Sequence, residues 1–148
     1  MTSFFPDLNV WLALSVSGHR HNAEAWNWLS MMSHEGRLIF SRYTHIGLLR
    51  LLTNPSAMGD QTLTLHKAWD VYDRWLNDPR VEFYPEPRGL DAGFRQATAP
   101  FARKPASKWV GDCYLLAYAK QSHAALVTFD QALCDLARKQ DCAALIPG

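Results

Sequence analysis

The sequence has no apolar run near the roughly 20 residues that a membrane-spanning helix requires. Its first residues, Met-Thr-Ser-Phe-Phe-Pro-Asp, lack the basic stretch and apolar core of a secretory leader. Cysteine is scarce and irregularly placed, at Cys113, Cys134 and Cys142. No Cys-x-x-Cys pair and no Cys/His spacing suits zinc. An odd, scattered set fits free thiols in a reducing compartment, so the expected location is the cytoplasm. A charge excess is also missing. Fifteen Lys and Arg against 14 Asp and Glu leave a formal net charge of +1. That removes the global signature of a nucleic-acid binder without excluding a local patch. No repeat, low-complexity tract or linker interrupts the 148 residues, a length that suits one domain over residues 1–148. Nor does any Ser/His/Asp or Cys/His arrangement stand in an order that would serve nucleophilic catalysis.

What the chain does contain is an alternation of short strand-like runs and helical patterns. Phe4-Phe5 reads as a strand before Asp7, and helices follow over Val10 to Ser15 and His21 to Met32. Leu38-Ile39-Phe40 is the next strand, closed by Ser41. A buried helix over Thr44 to Leu52 is stopped by Thr53-Asn54-Pro55. A longer helix, Leu63 to Leu76, carries Trp69, Tyr72 and Leu76 on one stripe. Val81 to Tyr84 reads as a strand, Leu90 to Thr98 as a short helix and Pro100 to Ser107 as a loop. Trp109 to Gln121 is helical, Ala125 to Thr128 strand-like, Gln131 to Lys139 helical, and Ala143 to Ile146 a last strand. This alternation predicts an α/β domain with a central parallel sheet. Such sheets bind ligands beyond the carboxyl ends of their strands, near the point where strand order reverses.

Three carboxylates compete for that position. Asp7 and Asp130 each follow a strand and precede a helix, and each reads equally well as a helix cap or as a ligand. Two such acids at one sheet edge repel each other, and a site that keeps them together usually supplies a cation. Asp112 is harder to explain as structure. With Ser107 as the expected cap of its helix, Asp112 lies beyond the capping positions, on the face of Leu115, Leu116 and Ala119. A helix starting at Gly111 would instead put it near a cap. Asn9 can orient the first carboxylate or bond local backbone. Thr44 can cap its helix or face the site, with capping the better physical fit. His45 falls in the first turn of the same helix, where an exposed histidine is the ordinary reading. His19 and His21 read as solvated. Arg42, Arg50, Arg103, Lys104 and Lys108 either border the acids or form a scattered solvated set.

Four segments resemble the motifs of the PIN domain, in family order and across nearly the whole chain. Phe5-Pro6-Asp7-Leu8-Asn9-Val10-Trp11-Leu12-Ala13-Leu14 resembles its opening, with a strand-end Asp and D-x-N. Ser41 to Pro55 resembles the second motif, Trp109 to Leu115 the third, and Val127-Thr128-Phe129-Asp130 the fourth. The pattern is most similar to the VapC type, the toxin half of bacterial toxin–antitoxin pairs. The resemblance implies a three-layer α/β/α fold with about five parallel strands in the order 3-2-1-4-5. It implies an endoribonuclease dependent on Mg²⁺ or Mn²⁺, with Asp7, Asp112 and Asp130 as both catalytic and metal-binding acids. It implies RNA as substrate, a cognate antitoxin protein, and a homodimer with helices such as Ala23 to Leu29 as interface. One position departs from the pattern: the second motif usually carries a Glu three residues after the Thr, and Gly47 stands there. That leaves open whether His45 compensates or the cation is held more weakly. It also keeps a second reading, a non-catalytic module that binds RNA or protein.

Overall fold

The computed structural model describes residues 2–148. Five strands form one parallel sheet: β1 (Ser3–Pro6), β2 (Arg37–Phe40), β3 (Val81–Phe83), β4 (Ala125–Val127) and β5 (Ala144–Leu145). Their order is β3-β2-β1-β4-β5. The register sets Phe4 opposite both Leu38 and Ala125, Leu38 opposite Val81, and Val127 opposite Leu145. This is the order expected from the resemblance. Because all strands run the same way, all five carboxyl ends share one edge.

Among the described residues eight helices connect and cover the sheet: α1 (Leu8–Ser15), α2 (Asn22–Met31), α3 (Arg42–Leu52), α4 (Pro55–Met58), α5 (Leu65–Leu76), α6 (Leu90–Thr98), α7 (Ser107–Gln121) and α8 (Gln131–Lys139). Strand side chains alternate between the two faces. Phe5, Ile39 and Leu126 enter a core with residues of α6, α7 and α8, including Leu90, Leu116 and Leu133. Leu38, Phe40 and Val127 enter a second core with α1, α2, α3 and α5, through Trp11, Leu29, Leu48 and Tyr72. Both faces are therefore buried, which is why these strands read as nearly continuous apolar runs. Aromatic stacking anchors each layer: Trp11 lies on Phe40 at 3.8 Å between ring centroids, and Phe5 on Tyr118 at 4.4 Å.

Three local readings need correction. Asn54-Pro55 ends α3 but also starts α4. Asn54 accepts from the Ser56 amide, and Pro55 occupies the first turn, where its missing N–H costs nothing. The loop expected over 100–107 begins with a turn of 3-10 helix, Ala99–Phe101. Ser107 is not a cap: it lies inside α7, and Ala106 precedes the helix without a side-chain capping bond.

The start of α3 is tightly specified. Ser41 Oγ accepts from the Thr44 amide at 3.1 Å, and Thr44 Oγ1 accepts from the Ser41 amide at 3.0 Å. Both residues are fully buried, so no water replaces these bonds. Ser41→Ala is expected to lower stability by about 1–2 kcal/mol. Urea unfolding would show this as a lower midpoint with an unchanged slope.

Candidate active site

The chain leaves β1 toward β2 on one side, and returns from the β3 edge through α6 and α7 to β4 on the other. Strand order therefore reverses between β1 and β4, and a crevice opens beyond their carboxyl ends. Asp7 follows β1 and Asp130 follows β4, so both stand at this switch point. Each is also a cap. Asp7 Oδ1 accepts from the Leu8 amide at 2.6 Å, and Asp130 Oδ1 from the Leu133 amide at 3.2 Å. Capping and site placement are thus not rivals, because a carboxylate has a second oxygen and further lone pairs to offer.

The residue that ties the two together is Thr128, whose hydroxyl the sequence reading missed as a site group. It is fully buried. Thr128 Oγ1 donates to Asp7 Oδ2 at 2.8 Å and accepts from the Asp130 amide at 3.0 Å. Asn9 closes the loop. Its Nδ2 donates to Thr128 Oγ1 at 3.4 Å, and its Oδ1 accepts from the Phe129 amide at 3.3 Å. Asn9 thus binds across from α1 to the end of β4, not to its own helix start. His21 stacks on Phe129 at 4.4 Å, so it is half-buried against the flank of this network and not solvated as expected.

Asp112 approaches from the second turn of α7. Its position inside the helix excludes a capping role, and the reading with a helix starting at Gly111 falls. Burial, then the charge of Asp7, then that of Asp130 push its carboxyl up to about 6. Asp7 is raised as well, by burial first, against hydrogen bonds from Thr128 and Leu8 that pull it down and a contribution from Asp130 that pushes it up. Asp7 therefore feels the charge of Asp130, and Asp112 feels both. Among the described residues, the ion pairs join other groups, such as Arg80 to Asp78 and Arg95 to Asp91, and none includes Asp7, Asp112 or Asp130. Mutual repulsion that no side-chain cation relieves suits a hard divalent cation with oxygen ligands. Among the described residues no three Asp, Glu, His or Cys side chains stand close enough together to hold a metal ion by themselves. Magnesium does not demand three, since it keeps several waters and needs only one or two carboxylates beside a substrate phosphate.

The other candidates are engaged by partners of their own. The Thr44 hydroxyl is consumed by its bonds to Ser41. His45 is buried, not exposed as its helix-start position suggested. Its ring stacks on Tyr72 at 3.7 Å, and its Nδ1 lies 3.0 Å from Arg42 Nη1. The charges that face it are Arg42 and Asp73, not the three acids. At Gly47, an added Cβ would lie 2.6 Å from Leu8 Cδ2. The side chain next to Asp7 therefore fills the space that a fourth acid would need.

The strand order is the one that the resemblance to the PIN domain implied. The PIN domain profile matches residues 4–139, and the chain belongs to the PIN domain family. Ribonuclease VapC41 of Mycobacterium tuberculosis is 40% identical over 130 residues, which are 85% of this chain and 88% of that protein. Ribonuclease VapC39 of the same organism is 33% identical over 134 residues, 88% of this chain and 91% of that one. Among solved structures, VapBC2 from Rickettsia felis, bound to a DNA fragment from its promoter, is similar with a TM-score of 0.70. That match covers 99% of this chain and 100% of the other at 12% identity, so it speaks for the fold alone.

Proposed function

We propose that the protein is a divalent-metal-dependent endoribonuclease, the toxin of a type II toxin–antitoxin pair. The observation that carries this reading is geometric: Asp7 and Asp130 stand at the switch point of the sheet, joined through the buried Thr128 hydroxyl, with no ion pair to either or to Asp112 among the described residues. Similarity to two proteins named ribonucleases supports the same activity. Asp7, Asp112 and Asp130 would hold Mg²⁺ or Mn²⁺. When bound, the cation offsets charge on the scissile phosphate and lowers the pKa of a water near it. Thr128 fixes Asp7 through its hydroxyl and sets the Asp130 backbone beside it. Asn9 locks the β4 end against α1 so that both acids keep their spacing. Asp112 would supply the third charge from α7. Cleavage is expected to leave 5′-phosphate and 3′-hydroxyl ends.

A cognate antitoxin protein as inhibitor and a homodimer as the working unit belong to the same proposal. The first rests on the resemblance of the four motifs to the toxin half of such pairs. No helix among the described residues is long and apolar enough to cross a membrane. Three buried free cysteines fit action in the cytoplasm. The second reading, a non-catalytic module, is favoured by one feature, the leucine that fills the space beside Gly47.

Induction in a bacterial host, wild type beside Asp7→Asn, followed by mapping of RNA 5′ ends, separates the two. Growth arrest with new ends confined to wild type is the expected result. The purified protein should cut RNA with Mg²⁺ and stop in excess EDTA. Cleavage that survives EDTA, or that Asp7→Asn retains in full, would overturn the metal-dependent reading.

A further inference from the structure

Two consecutive residues at the start of α3, Arg42 and Tyr43, stand at the same sheet edge as the acids and serve none of the roles described above. Arg42 is exposed, yet it is not loose. Its guanidinium lies 4.2 Å from the centroid of the Phe83 ring, and its Nη1 is 3.0 Å from His45 Nδ1. His45 is itself pinned, 3% exposed and stacked on Tyr72. No carboxylate among the described residues pairs with Arg42. It is a cation held by an aromatic face and an imidazole, with its charge left free for an anion. Holding it in place in advance spares part of the entropy that gripping a ligand would otherwise cost.

Tyr43 reaches the other way, toward α7. An added Cβ at Gly111 would lie 2.5 Å from the Tyr43 hydroxyl oxygen, so the phenol rests against the residue that precedes Asp112. Tyr114 stacks on the Tyr43 ring at 5.0 Å with 19° between planes, and Phe94 meets Tyr114 edge-on. The ring is thus supported from one side, while the side chain remains 44% exposed. A supported, exposed aromatic ring beside a free guanidinium is the pairing that single-stranded nucleic acid uses, with bases on rings and phosphates on cations.

We infer that Tyr43 stacks on a nucleobase of the RNA strand next to the cleaved phosphodiester, while Arg42 grips a neighbouring phosphate. The inference rests on the nuclease reading above and adds to it the residues that seat the strand. It also accounts for Gly111, since any side chain there would displace the phenol.

The test uses a 5′-fluorescein-labelled single-stranded RNA oligonucleotide of mixed sequence, titrated by anisotropy against Asp112→Asn protein in Mg²⁺ so that the probe survives. Tyr43→Ala in that background should weaken binding by about fivefold to a hundredfold, the usual loss of one base stack. Tyr43→Phe should bind like its parent. Arg42→Ala should reduce the steepness of the log affinity against log salt plot by about 0.7, the share of one phosphate contact on a single strand. Thermal melts establish that each variant is folded. Binding unchanged by Tyr43→Ala overturns the inference, and so does weakened antitoxin binding with RNA binding intact. A parent that binds no RNA overturns it as well. Cleavage by the wild type, measured alongside, distinguishes these results from failure of the nuclease reading.

Discussion

Asp112→Asn is expected to reduce RNA cleavage by at least about 100-fold, since even indirect supports of a metal site cost about 10–100-fold when removed. It is also expected to make the metal-free protein more stable. The two effects have one cause. The carboxyl of Asp112 is raised from an ordinary 3.8 to about 6 by burial and by its acidic neighbours. Between those values the folded chain holds a proton that the unfolded chain releases. Stability therefore falls as pH rises from about 4 to about 6 and stays lower above that, because folding forces a charge into a site that resists it. Half-burial and solvent screening reduce the penalty to the order of 1 kcal/mol. Asparagine removes the charge, so the metal-free melting temperature at pH 7.5 should rise by about 3 °C. Mg²⁺ should then reverse the ranking: it stabilises wild type by binding the folded state and has less to bind in the variant. A bound cation and a proton compete for the same oxygens. Mg²⁺ affinity and cleavage by wild type should both fall as pH drops through about 6. Full cleavage by Asp112→Asn, or a melting temperature for Asp112→Asn below that of wild type when both are in EDTA, would contradict this account.

The alternation of apolar runs and helical stripes made the layered α/β fold legible. Strand order was legible only through the ordered motifs, because periodicity says nothing about which strands pair. Asp7 and Asp130 were visible for a local reason, since an acid between a strand and a helix stands out whatever it does there. Asp112 was visible because no local role explained it, and its place in the second turn of α7 bears that out. His45 shows the limit. Its place in the first turn of α3 was plain, but Tyr72 and Trp69, which bury it, come from α5. No local pattern reports such a partner. Gly47 is similar: Leu8 fills its flank from another helix. Ser107 failed because a serine before a helical pattern is a common cap, and the helix simply began one position earlier than that role requires. Thr128 was hidden by its ordinariness, since a threonine at a strand end is what β-propensity expects. Its signal was the spacing to Asp130: a hydroxyl two residues before a helix-capping acid can accept that acid's own amide, as Thr128 does at 3.0 Å.

Thr128→Val therefore carries the second large expectation: a fall in cleavage of about 10–100-fold with the three acids untouched. Valine keeps nearly the same shape and removes only the hydroxyl. Asp7 Oδ2 then loses its donor, and the Asp130 amide loses its acceptor, in a place that is 0% exposed. Among the influences on Asp7, the Thr128 bond is the strongest that favours the ionised form. Without it the burial penalty stands less opposed, the carboxyl rises further, and the acid limb of the pH–rate profile should move to higher pH. Leaving buried polar groups unsatisfied should also lower stability by about 1–3 kcal/mol. Thr128→Ser supplies the control. It restores the hydroxyl and removes a methyl group, so it should recover the pH profile and most of the cleavage while a small packing loss persists. If serine and valine lose activity alike with pH profiles unchanged, Thr128 acts through packing and not through Asp7. If valine alone shifts the profile, a neutral hydroxyl sets the charge state of Asp7, the acid in this group most nearly buried.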